Sequence, residues 1–130
     1  MTKNARDRGA TAVEVALLMP ILLLLVMGIV DFGLALRAQI TITQAAREGV
    51  RVAALKQTGA TSRTETAASG LAIGVAVGAC PSGTGGDATV TVTHTFNFVT
   101  PVGGLAGLFG GGSFGSPITL SAKGVMPCEG

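Results

Sequence analysis

The chain has 130 residues, of which 48% are hydrophobic and only 12% charged, and its mean hydropathy is +0.59. A soluble globular domain rarely combines these values, and the length allows at most one small domain beside a hydrophobic segment. The net charge of +2 has no basic run behind it, aromatic residues make up 4%, and Trp and Tyr are absent. Nucleic-acid binding therefore has no support, and the usual aromatic belt at a membrane interface is missing.

Residues 1–9, MTKNARDRG, carry Lys3, Arg6 and Arg8 against Asp7, which accounts for the whole positive excess. A short basic stretch beside a hydrophobic helix stays in the cytoplasm. Arg37, Arg47, Arg51 and Lys56 follow on the far side, but residues close to the first helix end usually set orientation. The predicted N-terminus is cytoplasmic.

From Val15 to Val30 no residue is charged. As an α-helix this run rises about 24 Å, slightly less than the roughly 30 Å of a bilayer's hydrocarbon core. The span must draw in Ala12, Val13 and Glu14, and we place the transmembrane helix over residues 10–31. An ionisable residue in such a segment is costly and points to function, which singles out Glu14. Pro20 removes one backbone hydrogen bond and is predicted to kink or loosen its turn.

The helical period continues past Asp31. Phe32, Leu36, Thr43, Ala46, Val50 and Ala53 share one face, and Arg37, Thr41, Gln44, Glu48 and Arg51 share the opposite one. Residues 32–57 therefore read as an amphipathic continuation of the helix, stopped by Gly59. A helix from Ala12 to Lys56 would be about 68 Å long, a stalk carrying a small head over residues 58–130.

In that head, Ser62-x-x-Glu65 has the form of a capping box and predicts a helix from about 63 to 73. Cys80 to Asp87 is a loop. Ala88 to Thr100 alternates, with Val90, Val92, Phe96 and Phe98 one way and Thr89, Thr91, Thr93, Thr95 and Asn97 the other. That is a half-buried strand. His94 falls on its apolar side and reads as a packing or sheet-rim residue. Pro101 to Pro117 is Gly-rich and reads as a flexible loop carrying Leu105, Leu108, Phe109 and Phe114, either a contact site or folded back on the head. Ile118, Leu120 and Ala122 alternate with Thr119, Ser121 and Lys123 in a second strand.

Two strands so joined pair most simply as an antiparallel hairpin, which brings Cys80 and Cys128 to the same end of the sheet. In an exported head the pair reads as one disulfide; the alternative is two thiols acting as small buried hydrophobes. The predicted fold class is α+β: a long N-terminal transmembrane and amphipathic helix, then an extracytoplasmic head with a second short helix and an antiparallel sheet of two to three strands.

No catalytic constellation is visible. His94 is the one histidine, and with two well-separated cysteines it cannot complete a zinc site. There is no GxGxxG, and the acidic residues are dispersed. The expectation is a protein that is not an enzyme, with no cofactor, no metal and no small-molecule substrate.

The N-terminal stretch is more specific. Gly9 precedes Ala10, and Glu14 is the fifth residue after a cut between them, a pattern similar to that of type IV prepilins. Residues 8–56 resemble the TadE-like family, minor pilins or pseudopilins of the Flp (tight-adherence) type IV pilus system. The matching stretches are Arg8-Gly9-Ala10, Val13-Glu14, Met19-Pro20 before a Leu run, Gly28-Ile-Val-Asp31-Phe32-Gly33, and Ala45-Ala-Arg-Glu-Gly49-Val-Arg51. Residues Ala88–Thr100 and Ile118–Met126 echo the family's later strands. Where an aromatic commonly follows the glutamate, this chain has Val15.

The resemblance implies cleavage between Gly9 and Ala10 by a prepilin peptidase, so that residues 1–9 form a leader. Glu14 would serve recognition and assembly, pairing with the α-amine of a neighbouring subunit. The implied partners are the lipid bilayer, the peptidase, other pilin-like subunits and the pilus assembly machinery. The implied location is the bacterial inner membrane, crossed once, with incorporation into an adhesive surface pilus. Two alternatives stay open. One is a secretory signal cut after Gly33-Leu34-Ala35, although Glu14 and the sixteen-residue uncharged run fit it poorly. The other is a membrane-anchored binding module outside any pilus, with Glu14 snorkelling to the interface.

Overall fold

A computed structural model describes residues 3–82, 85–108, 110, 112 and 115–129. Helix α1 runs from Lys3 to Ala54 and keeps Pro20 inside it without ending there. Its 52 residues correspond to about 78 Å at 1.5 Å per residue. It starts earlier than Ala12, so Gly9 and Ala10 lie on helical backbone. It ends two residues short of Lys56, whose φ of 54° lies in the left-handed region, as does Gly59 at 94°.

The chain divides into two compact units. One joins the described residues up to Gly33 with those of Phe98–Ser116, and the other joins Leu34–Asn97 with Pro117–Gly130.

The second unit holds helix α2 (Ala60–Ala67) and strands β1 (Ile73–Gly78), β2 (Asp87–Phe96) and β3 (Ile118–Pro127). The strands form one antiparallel sheet in the order β1-β2-β3. The predicted hairpin is present, with Asp87 opposite Pro127 and Phe96 opposite Ile118. Strand β1 pairs along the other edge of β2, from Ile73 opposite His94 to Gly78 opposite Thr89. Fold class and strand alternation agree with the sequence reading. In this unit three local features do not.

Helix α2 is shorter and earlier than residues 63–73, because Gly70 takes a φ of 90° that ends it, and Ile73, Val75 and Val77 go into a strand. Ser62 and Glu65 are not a capping box: the helix is preceded by Gly59, with no side-chain capping hydrogen bond. Strand β2 stops at Phe96, so Phe98 lies beyond it.

The core of this unit is built from one face of α1 against one face of the sheet. Ile42, Ala46, Val50, Ala53 and Ala54 meet Ala88, Val90, Val92 and Ala122, with Ala60 of α2. Small residues let the backbones approach closely. A Cβ on Gly124 would sit 2.6 Å from the Ala46 carbonyl oxygen and 3.0 Å from Val50 Cγ1. One on Gly49 would sit 2.0 Å from Thr64 Oγ1, a hydroxyl fixed by its donation to the Ala60 carbonyl at 2.7 Å. Because Gly124 meets backbone, Gly124→Ala can be accommodated only if α1 backs away from β3. We expect it to cost about 1–3 kcal/mol, the usual range for overpacking. Thermal unfolding of the detergent-solubilised chain measures this, and an unchanged Tm would mean that helix and strand part freely.

A disulfide between Cys80 and Cys128 closes the end of the sheet, spanning 48 positions of sequence. Both cysteines pack against the core. The Cys128 N–H donates to the Gly86 carbonyl at 2.9 Å, and the Glu129 N–H donates to the Ala54 carbonyl at 3.3 Å. The last strand is thus fastened to the end of α1.

In the first unit, Val102–Leu108 is a short helix, α3, where the glycine content predicts an irregular loop. Pro101 precedes it, as befits a residue with a fixed helical φ, and its carbonyl accepts the Leu105 N–H at 3.0 Å. Gly115, at φ 86°, lies so close to Gly103 that a Cβ there would come within 2.5 Å of the Gly103 Cα. Phe109 and Phe114 lie outside the described residues.

Candidate functional site

The apolar half of α1 has no covering among the described residues. Leu17, Leu18, Ile21, Leu22, Leu25 and Ile29 are all exposed. Helix α1 is long and apolar enough to cross a membrane, and the most apolar window within it has a mean hydropathy of 2.7. Among the described residues it is the one helix of this kind, and its place near the N-terminus suggests membrane anchoring.

Gly9, Ala10 and Glu14 are exposed on this helix, and nothing lies within 4 Å of a Cβ built on Gly9. Gly9 and Glu14 are five residues apart, about 7.5 Å of helical rise.

The amphipathic face divides into two parts. Ala46, Val50 and Ala53 are buried in the core, and Thr43 is half-buried. Phe32 and Leu36 are exposed, at 70% and 51%. On the face opposite, Arg37, Gln44 and Arg51 are exposed, while Thr41 and Glu48 are half-buried. Glu48 takes a 3.4 Å ion pair from Arg63, a surface contact worth little.

Asp31 is the polar residue whose role sequence reasoning missed. It is 2% exposed. Its Oδ1 accepts the Val99 N–H at 3.0 Å and the Thr100 N–H at 3.3 Å. Its Oδ2 accepts the Thr100 hydroxyl. A carboxylate with three donors is well satisfied despite its burial. The signal was available, because Asp31 is the first charged residue after sixteen uncharged ones, and an ionisable group at such a boundary calls for a partner. Nothing in the sequence says that the partner lies 68 positions further on.

His94 is half-buried at the sheet rim and donates from Nδ1 to the Ala72 carbonyl at 2.7 Å, a structural bond between β2 and the start of β1. No group of three His, Cys, Asp or Glu residues that could hold a metal occurs among the described residues.

The family model described as TadE-like protein matches residues 9–51. Over this stretch the chain is similar to the TadE-like family. The TadE-like segment begins at Gly9, takes in Glu14, Asp31 and Gly49, and ends at Arg51 within the last turn of α1. The family is a structural one associated with the Tad pilus. No curated protein and no solved structure matches the chain. Close approach of α2 gives a physical reason for Gly49 within the TadE-like segment, since the buried Thr64 hydroxyl leaves no room for a side chain there.

Proposed function

We propose that the protein is a pilin-like structural subunit of the Flp, or tight-adherence, type IV pilus, acting in pilus assembly and adhesion. Residues 10–31 anchor it once in the bacterial inner membrane, with its N-terminus cytoplasmic and residues 58–130 outside. A prepilin peptidase removes residues 1–9 by cutting between Gly9 and Ala10. Glu14 then serves recognition and assembly with other pilin-like subunits. Phe32 and Leu36, left bare by the core, extend the helical surface on which those subunits pack.

The observation that carries this reading is the TadE-like match beginning at Gly9, with Glu14 five positions on and an uncovered apolar helix behind it. The test is the mature N-terminus. We expect Ala10. A start at Leu36 would indicate signal cleavage, and one at Met1 or Thr2 an unprocessed anchor. Because a Cβ on Gly9 meets nothing within 4 Å, Gly9→Leu is chosen to report on recognition by the peptidase, with the level of protein in the membrane as the check on folding. We expect the leader to stay attached in this variant while the protein remains in the membrane. A product beginning at Ala10 from the Gly9→Leu chain would show that Gly9 is not the recognition element.

A further inference from the structure

We propose that the segment Val99–Leu108 lies in the headgroup region of the bilayer, at the outer end of the membrane-spanning helix, as a second lipid contact of this protein. The inference rests on the reading of residues 10–31 as a membrane span. On that reading Asp31, which directly follows the uncharged run ending at Val30, marks the level at which the helix leaves hydrocarbon.

Asp31 does not face water at this level. Its carboxylate is buried and holds the backbone N–H groups of Val99 and Thr100 together with the Thr100 hydroxyl. Residues 99 and 100 are therefore fixed within hydrogen-bond distance of the membrane boundary. What they bring there is apolar. Val99 is 72% exposed and Leu108 79%. Helix α3, VGGLAGL, has no polar side chain. No Asp, Glu, Lys or Arg occurs anywhere between Asp87 and Lys123.

In water such a surface would be unfavourable. At the level of the headgroups the exposed Val99 and Leu108 side chains can leave water for the boundary of the acyl chains. Backbone chemistry allows this depth and no greater one, because the headgroup region retains water for the terminal N–H and C=O groups that a helix of seven residues leaves free, whereas the hydrocarbon core has none. At seven residues, α3 is about 10 Å long, too short to span and suited to lying flat. The segment carries no cation, so its lipid contact should be indifferent to lipid charge.

The chain has no Trp, so a single substitution supplies a single fluorophore. Full-length Leu108→Trp, Leu23→Trp and Thr93→Trp proteins are reconstituted into phosphatidylcholine vesicles containing lipids brominated near the headgroup or deep in the acyl chain. We expect shallow bromines to quench Leu108→Trp roughly two-fold or more, deep bromines to quench Leu23→Trp, and neither to quench Thr93→Trp on the exposed face of β2. Replacing part of the phosphatidylcholine by an anionic lipid should change nothing. Val99→Trp is a second probe of the same segment and should give the same shallow quenching. Adding Asp31→Ala to Leu108→Trp should abolish the shallow quenching, while Leu23→Trp stays quenched in the same background.

If Leu23→Trp is quenched and both Leu108→Trp and Val99→Trp are not, the segment faces water or another protein, and the proposal is overturned with the membrane span intact. If Leu23→Trp is unquenched, the span itself fails and the proposal with it. Quenching of Leu108→Trp that survives Asp31→Ala overturns the positioning role of Asp31.

Discussion

Glu14→Gln subunits are expected to reach the membrane at wild-type levels or above and then to fail to join other pilin-like subunits. The substitution keeps side-chain size and removes the charge. After cleavage at Gly9 the new α-amine of Ala10 lies four residues from Glu14, about 6 Å along the helix, and both enter the apolar region. A lone carboxylate there is costly, whereas one paired with a neighbour's amine is much less so. On the proposed reading the charge would therefore favour assembled over isolated subunits and set their axial register. Breaking such a pair by removing one partner typically costs about 3–5 kcal/mol, roughly a hundred-fold or more in association. Crosslinking in membranes that carry the variant with its partner subunits reads this directly. Wild-type amounts of crosslinked heteromer would reduce Glu14 to an interfacial residue. Assembly would then rest on the exposed Phe32 and Leu36.

The second large effect concerns the disulfide. Cys80→Ser with Cys128→Ser opens a loop spanning 48 positions, and the loop-entropy description assigns such a closure roughly 4 kcal/mol. The whole stability of a small domain is about 5–15 kcal/mol, so much of it depends on this bond. In urea, with slopes of about 1–3 kcal/mol per molar, the unfolding midpoint of the detergent-solubilised chain should fall by about 2 M. A reductant should produce the same fall in the wild type and none in the double variant. A midpoint that does not move would mean that the core of Ile42, Val50, Val90 and Val92 holds the sheet without the bridge.

The elements that periodicity exposes were legible in the sequence. The uncharged run Val15–Val30, the alternation of Val90 and Val92 with threonines, and the closing strand at Ile118 each satisfy a local pattern whose period a single face dictates. The sheet end shared by Cys80 and Cys128 followed from antiparallel pairing alone. Strand β1 was hidden because Gly74, Ala76 and Gly78 fill its outer face, and glycine-rich runs imitate a fraying helix. Ser62 and Glu65 have capping-box spacing, yet Gly59 takes the turn before the helix, so the chain enters α2 earlier and the box falls inside it. Helix α3 was hidden by its glycines, which local propensity counts against a helix. At the candidate site, Gly9, Ala10 and Glu14 were singled out by a resemblance, which leaves their roles a proposal, and the joining of Asp31 to Val99 and Thr100 links positions 68 and 69 apart in sequence, beyond the reach of any local pattern. Phe32 and Leu36 share a predicted face with Ala46 and Val50, but only the latter pair meets the sheet.

The Cys80–Cys128 bond also has a mechanical meaning. Strands β2 and β3 and helix α3 all lie between its two ends. A tension that enters through α1 and leaves beyond Cys128 runs along the chain to Cys80 and crosses at the sulfurs, bypassing everything between. The 48 positions so bridged represent about 160 Å of extended chain that a pull cannot pay out while the bond is closed. Under load the hairpin is shielded, and the yielding parts are confined to α1, α2 and β1. An oxidised chain under such a pull would therefore yield only before Cys80, and a reduced one could pay out the bridged length as well.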